Sequence, residues 1–324
     1  MSPVPTYPDV YFTPGYGAAA QDADFESWVS IRRFNGRWQM PLVIRRGTGG
    51  VLDAASPYGY SGIYAAPALS ADQLAEAWTD ASEELRDLGL VSVFLRHSPL
   101  VSQAPDPDDC IPLTTDHPTV VIDIEPPDAM WAKLEGRCRT AVRKAEKSGY
   151  TARVRVAEAE DLAPGSAFRN LYEGTMQRRD AGSHYYFDDA YYRRLRSALG
   201  ANLRIAEAVT DDGQVGAACL LMAHEGLLHY HLSGSLIEAA RAGANNLMLW
   251  EACRFSADSG MAAFHLGGGL RAGDSLHRFK QSFGGRTASY RTSGVILDPA
   301  AYEQLSGTTG PSMGFFPAYR RGAS

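Results

Sequence analysis

The sequence predicts a mixed α/β protein of two domains, whose mostly antiparallel sheets are flanked by helices. Its 324 residues exceed the usual size of one domain, about 100 to 200 residues. Strand-like segments recur between segments that have the apolar periodicity of amphipathic helices. In the second half, three strand-like segments follow one another closely. The first two are joined at Asp211, Asp212 and Gly213, a sequence typical of a hairpin turn.

Composition and charge narrow the class of protein. The hydrophobic fraction of 45% and the charged fraction of 21% are ordinary for a soluble globular protein. No apolar run approaches the roughly 20 residues of a membrane span, and the first 24 residues lack the regions of a secretory signal. We therefore expect a cytoplasmic monomer without membrane insertion. The four cysteines form no CxxC pair, which favours reduced thiols over a zinc site or disulfides.

A net charge of −6 argues against a protein that coats nucleic acid over a long footprint. It is compatible with a protein that grips only the end of an RNA.

The first half is predicted to form a small α/β unit. Strands are expected at residues 37–46 and 91–97, around a helix at residues 71–88 that carries apolar residues at helical spacing. Gly89 supplies the stop signal of this helix.

A turn-rich stretch, residues 56–62, lies between the two strands and contains Tyr58 and Tyr60. The two tyrosines either line the mouth of a pocket or pack over the turn.

A connection rich in proline and aspartate, residues 105–118, marks the predicted domain boundary. We expect an N-terminal domain at residues 1–125 and a C-terminal domain at residues 126–300. The connection is followed by a predicted strand at residues 119–124.

A basic helix is predicted next, at residues 128–148, with Asp128 as its N-cap and Gly149 at its end. Its charged side carries the only basic cluster of the sequence: Arg137, Arg139, Arg143, Lys144 and Lys147. A charge run on a helix is most often a solvated face, and contact with phosphates is the alternative.

The remaining elements are predicted to alternate up to residue 297. Strands are expected at residues 150–157, 203–209, 215–223, 227–233, 262–266 and 287–297. Helical segments are expected at residues 158–178, 188–199, 243–259 and 274–282.

The last of these helices carries the most informative residue, Lys280. Of 31 basic residues only four are lysines, and Lys280 follows a triple glycine, Gly267–Gly269, by a short spacer. An ammonium group is a compact point charge that can meet a developing oxyanion, whereas a guanidinium is a wide planar fork. The alternative is a solvated lysine on a helix face.

Five sequence motifs occur in an order that resembles the Fem-type transferases of the GCN5-related N-acetyltransferase (GNAT) superfamily. These proteins use aminoacyl-tRNA to add amino acids to an amine. The motifs are Arg143–Gly149, Tyr230–Ser235, Gly243–Trp250, Phe264–Gly268, and Arg278–Lys280 followed by Phe283 and Gly284.

The resemblance implies two tandem GNAT-like domains, with residues 301–324 returning to the first of them. A long coiled-coil arm would need an insertion of dozens of residues, and the sequence has none. Aminoacyl-tRNA is then a co-substrate, and no bound cofactor is expected.

The resemblance also implies the roles of individual residues. Lys280 would stabilise the oxyanion that forms when an amine attacks an ester carbonyl, and Phe279 would pack near the terminal adenosine of the tRNA. Tyr230 would lie in the reaction channel, with a core role as the alternative. Candidate substrate contacts are Tyr58, Tyr60, Arg137, Arg143, His231, Ser233, Gly267, Gly268 and Arg278. His229 and His231 lack a matching third ligand, so no metal site is predicted.

Two other functions compete with aminoacyl transfer. An acyl-CoA-dependent N-acyltransferase would need a glycine-rich cradle for the pyrophosphate at a helix N-terminus. Here Ala240 occupies the expected Gln or Arg position and Asn245 the last small position, so that pattern is degraded. A non-catalytic binding module is the second alternative, which the intact Arg278–Lys280 motif disfavours.

The sequence thus predicts transfer of an amino acid from aminoacyl-tRNA to the amine of a small molecule or peptide. It leaves open whether the acceptor is a cell-wall precursor or a peptide-like natural product.

Overall fold

The computed structural model describes residues 6–20, 25–182, 185–269, 273–312 and 314–321. The chain forms two compact units, Met1–His117 with Ser289–Ser324, and Pro118–Ala288. Each unit contains strands and helices, so the predicted mixed α/β class is confirmed. The longest helix among the described residues has 17 residues, and none of them forms a coiled-coil arm.

The first unit has the strand order β1-β2-β3-β5-β12, and β4 pairs with β2. All these strand pairs are antiparallel except β3 with β5. The strands are β1 (Phe25–Arg33), β2 (Trp38–Arg46), β3 (Leu52–Ala55), β4 (Tyr64–Ala65), β5 (Leu90–Arg96) and β12 (Arg286–Ile296), the last shared with the second unit. Its helices are α1 (Pro14–Ala19), α2 (Ala71–Asp87) and α10 (Pro299–Ser306).

The two strands and the helix predicted for the first half are all present. Helix α2 begins at a capping box in which Ser70 and Gln73 each bond the other's backbone N–H, and it buries Ala77, Ala81 and Leu85. These side chains pack in one core with strands β2 and β5.

The second unit has the strand order β6-β11-β10-β9-β8-β7. The β10 and β11 strands are parallel, and the other pairs are antiparallel. The strands are β6 (Cys110–Asp123), β7 (Tyr150–Val156), β8 (Leu203–Thr210), β9 (Val215–His224), β10 (Leu227–Ser235) and β11 (Ala263–Gly268). The part of β6 up to His117 belongs to the first unit. The helices are α3 (Pro127–Lys133), α4 (Gly136–Lys147), α5 (Ala167–Arg178), α6 (Asp189–Leu199), α7 (Ile237–Ala242), α8 (Ala244–Asp258) and α9 (Ser275–Gln281).

Alternation along the strands of this unit gives its sheet two buried faces. One face carries Leu228, Cys219 and Phe264 and packs in one core with helices α4 and α8. Helix α5 packs against β9 and β10, and Gly234 permits its close approach, because a Cβ there would collide with the backbone of Leu171.

The predicted basic helix is two helices, α3 and α4. Leu134 and Glu135 have extended backbone, and the N–H of Glu135 donates to the carbonyl of Ser282 at 2.9 Å. The burial of Leu134 and this hydrogen bond stabilise the extended backbone that separates α3 from α4. Asp128 therefore lies inside the first turn of α3, and Pro126 is the N-cap residue.

The predicted connection at residues 105–118 overlaps strand β6, which begins at Cys110. The residue before a proline favours extended backbone, so Pro112 and Pro118 are compatible with a strand as well as with a linker. Helix α7 was not predicted. The helical stretch predicted from residue 158 begins as an α-helix only at Ala167.

Candidate active site in the second unit

Lys280 is a buried cation held against the glycine turn. It lies in the last turn of α9, is 6% exposed, and donates from Nζ to the carbonyl of Gly268 at 2.7 Å. The same nitrogen lies 5.3 Å from the ring centre of Tyr230. Among the described residues, no carboxylate forms an ion pair with it. The solvated-lysine alternative does not fit this burial.

Burial controls the charge of this group. Removal from water lowers the pKa of Lys280 to about 8, and the charge of Asp274 partly opposes that shift. The neighbouring His265 has a pKa well below its usual range because of burial and the positive charge of nearby groups, Lys280 among them. At neutral pH the lysine is therefore mostly charged and the histidine is neutral.

Two glycines shape the turn that receives Lys280. Gly267 has a φ of 71°, in the left-handed region that favours glycine. A Cβ on Gly268 would lie 2.6 Å from the carbonyl oxygen of Pro118. Gly267 and Gly268, which were predicted as substrate contacts, thus shape the turn that presents the Gly268 carbonyl to Lys280.

Tyr230 and Ser233 lie on the same face of β10 because the strand contains a bulge. The bulge falls between them, and Ser233 pairs with Cys219, which belongs to the core on the α4 and α8 side. Burial raises the pKa of the Tyr230 phenol well above its usual range, and the nearby Ser233 side chain opposes that shift only in part. Tyr230 is therefore a neutral phenol, next to Lys280.

Strict alternation along β10 places Ser233 with His229 and His231, on the face opposite Tyr230. The bulge moves it to the Tyr230 side. The available sequence signal was Gly234, since a glycine inside a strand often marks a bulge.

His231 lies on the other face of the sheet, so the structure does not bring it together with Lys280. Its Nε2 is 2.5 Å from the hydroxyl of Tyr191 in α6. Burial, with the nearby His229, lowers the pKa of His231 to about 3. His229 in turn packs edge-on against His265, with 5.6 Å between ring centres.

The neighbours of Lys280 on α9 face different surroundings. Phe279 is half-buried and packs edge-on against Phe283, with 5.5 Å between ring centres. The Arg278 side chain is exposed, and its carbonyl accepts a 2.9 Å hydrogen bond from Arg137. Arg137 also pairs with Glu135 at 2.7 Å, so it fixes the start of α4 against α9.

The basic cluster of α4 divides into two groups. Arg139 donates to carbonyls of the α3–α4 break, and Lys144 donates to the carbonyl of Arg241 at 2.8 Å. Arg143 lies over the ring of Trp131 at 5.6 Å, and both it and Lys147 are exposed.

Three exposed cations of α4 and α9 form no ion pair with a carboxylate among the described residues. They are Arg143, Lys147 and Arg278, here called the α4–α9 basic surface.

The N-terminus of α8 is covered by α4. Gly243 joins α7 to α8 with a φ of 95°, and a Cβ there would collide with the carbonyl oxygen of Ala141. Gly243 and Ala244 are buried, and Lys144 ties α4 to the end of α7. The position where a pyrophosphate cradle would lie is thus closely packed.

Tyr58 and Tyr60 belong to the first unit. Tyr58 is 37% exposed, and its carbonyl accepts a 2.5 Å hydrogen bond from the hydroxyl of Tyr16. The Tyr60 ring packs edge-on against Tyr290, with 5.1 Å between centres.

Within the described ranges, no group of histidine, cysteine and acidic residues has the arrangement of a metal site. No helix in those ranges is long and apolar enough to cross a membrane.

Comparison with known proteins defines the class. Residues 132–281 match the family described as "Acetyltransferase (GNAT) domain". This stretch lies within the second unit, which is therefore similar to GNAT-type acyltransferase domains. No curated protein matches the sequence.

Solved structures extend the likeness to most of the chain. A structure described as "Crystal structure of FemX" superposes with a TM-score of 0.72 at 13% identity, covering 92% of this chain and 94% of that one. "The structure of L-PGS from Bacillus licheniformis" has a TM-score of 0.54 at 13% identity, with 83% and 84% covered. The C-terminal domain of a putative lysylphosphatidylglycerol synthetase from Agrobacterium fabrum has a TM-score of 0.54 at 14% identity, with 89% and 91% covered.

At these identities the likeness concerns the fold. The chain has the fold of the Fem-type transferases of the GNAT superfamily, which confirms the resemblance seen in the sequence.

Proposed function

We propose that the protein is an aminoacyltransferase that moves an amino acid from aminoacyl-tRNA to the amine of a small molecule or peptide. The observation that carries this proposal is the buried ammonium of Lys280, which lies beside a neutral phenol and is held by one carbonyl. An ammonium donates up to three hydrogen bonds, so the group retains capacity for a substrate oxygen.

The reaction needs no further reagent. The amine nitrogen attacks the ester carbonyl carbon, the bond from that carbon to the ribose oxygen breaks, and the amine proton passes to the ribose oxygen. Negative charge develops on the carbonyl oxygen, where Lys280 stabilises it and Tyr230 can donate a second hydrogen bond. Because the ester is already activated, catalysis rests mainly on positioning and on charge stabilisation.

Two features support tRNA as the donor over acyl-CoA. The packed N-terminus of α8 leaves Gly243 and Ala244 buried, which disfavours a pyrophosphate at that position. The α4–α9 basic surface offers unpaired cations to RNA phosphates, and Phe279 is half-buried and offers a ring for stacking with the terminal adenosine.

An acyl-CoA-dependent N-acyltransferase is the second candidate, favoured by the match to an acetyltransferase family. We propose further that the enzyme is a cytoplasmic monomer. Residues 1–125 contain no lysine, which disfavours a cell-wall precursor as acceptor, although arginines can replace lysine in binding a diphosphate.

The deciding experiment supplies a candidate amine with a labelled aminoacyl-tRNA pool, with and without ribonuclease pretreatment. The expected product is a labelled amide that ribonuclease pretreatment abolishes and that acyl-CoA does not affect. Product that survives the ribonuclease and requires acyl-CoA would overturn the tRNA proposal. The same assay is applied to Lys280→Met. Lys133→Met serves as its control, because Lys133 is more than half exposed and pairs with Glu125 at 2.5 Å.

A further inference from the structure

Two side chains of opposite charge, Asp274 and Lys280, contact adjacent glycines of the turn. Asp274 is the N-cap of α9, and its Oδ1 accepts a 2.7 Å hydrogen bond from the N–H of His277. Its carboxylate also lies against Gly269, where a Cβ would collide with it. The Lys280 ammonium bonds the carbonyl of the preceding residue, Gly268.

Helix geometry explains how residues six apart in sequence meet at this turn. Six residues of α-helix span about 9 Å, and helical side chains tilt toward the N-terminus. The long Lys280 side chain therefore extends back along α9 toward the turn that Asp274 borders.

The other groups around the ammonium do not supply a negative charge. Tyr230 from β10 is a neutral phenol, and His265 from β11 is neutral and lies near the cation Arg286. The Asp274 carboxylate is the acidic group whose charge raises the pKa of Lys280 against the effect of burial.

We propose that Asp274 is a positioning residue for the transfer that acts through Lys280: its carboxylate, held against Gly269, keeps the ammonium charged beside Gly268. This inference rests on the proposed function, because the charged form is the one that stabilises an oxyanion. Asp274 has a second role as the cap of α9, and the test must separate the two.

Asp274→Asn makes that separation. Asparagine caps a helix about as well as aspartate, so the bond to His277 is kept while the charge is lost. The matched control is Asp298→Asn at the N-cap of α10, where Asp298 accepts from the N–H of Ala301 at 3.0 Å.

The first measurement is an NMR titration of protein labelled with ¹³C at the lysine ε-carbons. The chain has only four lysines, and Lys280→Met assigns the signal of interest. We expect the Lys280 pKa to fall from about 8 by roughly half a unit or more in Asp274→Asn, and to stay unchanged in Asp298→Asn. An unchanged pKa in Asp274→Asn overturns the proposal, whatever reaction the enzyme performs.

The second measurement is kcat/KM against pH from 6 to 8.5. In Asp274→Asn, the alkaline limb of the kcat/KM profile should move to lower pH by the same amount as the Lys280 pKa measured by NMR. Activity near pH 6 should equal that of the unchanged protein, because Lys280 is charged in both. A uniform loss at every pH would show that Asp274 acts only as a cap. A shifted NMR titration without aminoacyl transfer would refute the proposed function and leave the Asp274–Lys280 coupling established.

Discussion

At the scale of the residue, the burial that places Lys280 beside Tyr230 also has a cost in stability. Its pKa is about 8 in the folded protein and 10.5 ordinarily, so the unfolded chain binds the proton more tightly. Stability is lowered at pH below 8 and recovers as pH rises from 8 to 10.5.

We therefore expect Lys280→Met to raise the free energy of unfolding at pH 7 by about 2 to 3 kcal/mol. This gain in the free energy of unfolding should shrink as the pH rises from 8 to 10.5. Urea unfolding of the two proteins at pH 7 and at pH 10 measures the gain at each pH. A destabilised variant at pH 7 would contradict the cost that we assign to the buried charge. Lys133→Met, at an exposed position, should change stability little.

The same substitution should abolish most of the activity. Loss of one oxyanion donor typically lowers turnover by about two to three orders of magnitude. Activity of the unchanged protein should fall as pH rises through about 8, because the neutral amine no longer opposes the developing charge. Single-turnover rates with aminoacyl-tRNA measure both effects, and near-normal turnover of Lys280→Met would return Lys280 to a structural role.

The sequence predicts Lys280 as a candidate and does not predict its partners. A rare lysine behind three glycines is visible in composition and spacing. The placement of Ser233 on the Tyr230 face depends on a bulge, and the contact of Lys280 with Gly268 depends on how α9 packs on β11. Both arise from tertiary packing, which alternation rules do not contain.

At the scale of the element, the packing of α4 against the start of α8 leads to a prediction about two glycines. Gly243 and Gly260 flank α8 at its two ends, and both have positive φ. A Cβ on Gly243 meets Ala141, whereas one on Gly260 meets nothing within 4 Å. Gly260→Ala should therefore cost only the backbone strain, about 1 kcal/mol.

Gly243→Ala should cost roughly 3 kcal/mol or more, because overpacking adds to the same strain. Unfolding in urea measures the two variants side by side. Equal losses would mean that α4 does not close the N-terminus of α8, and the packing argument against a pyrophosphate there would fail.

Most elements of the second unit were predicted to within a few residues, because the apolar periodicity of each segment agrees with the residues that signal its end. Helix α8, predicted at residues 243–259, spans Ala244–Asp258. The break between α3 and α4 was missed because apolar periodicity continues through Leu134, while a bond to Ser282, far along the chain, opens the helix. Strand β6 was missed in part because proline and aspartate also signal linkers.

At the scale of the whole molecule, charge distribution limits how an RNA can bind. The chain carries a net charge of −6, so general attraction to a polyanion is absent. Several described arginines of the second unit form ion pairs, as Arg155 does with Asp161 and Glu207. RNA contact is thereby expected to concentrate on the α4–α9 basic surface.

This concentration predicts a shallow dependence of tRNA binding on salt. Three phosphate contacts give a slope of log K against log salt of about −2 to −3. Arg143→Ala and Lys147→Ala should each reduce that slope by about one, as measured by fluorescence anisotropy from 50 to 300 mM KCl. Arg196→Ala should leave it unchanged, because Arg196 on α6 is paired with Glu158 at 2.8 Å. If all three variants keep the original slope, the basic side of α4 is a solvated face and the RNA end binds elsewhere.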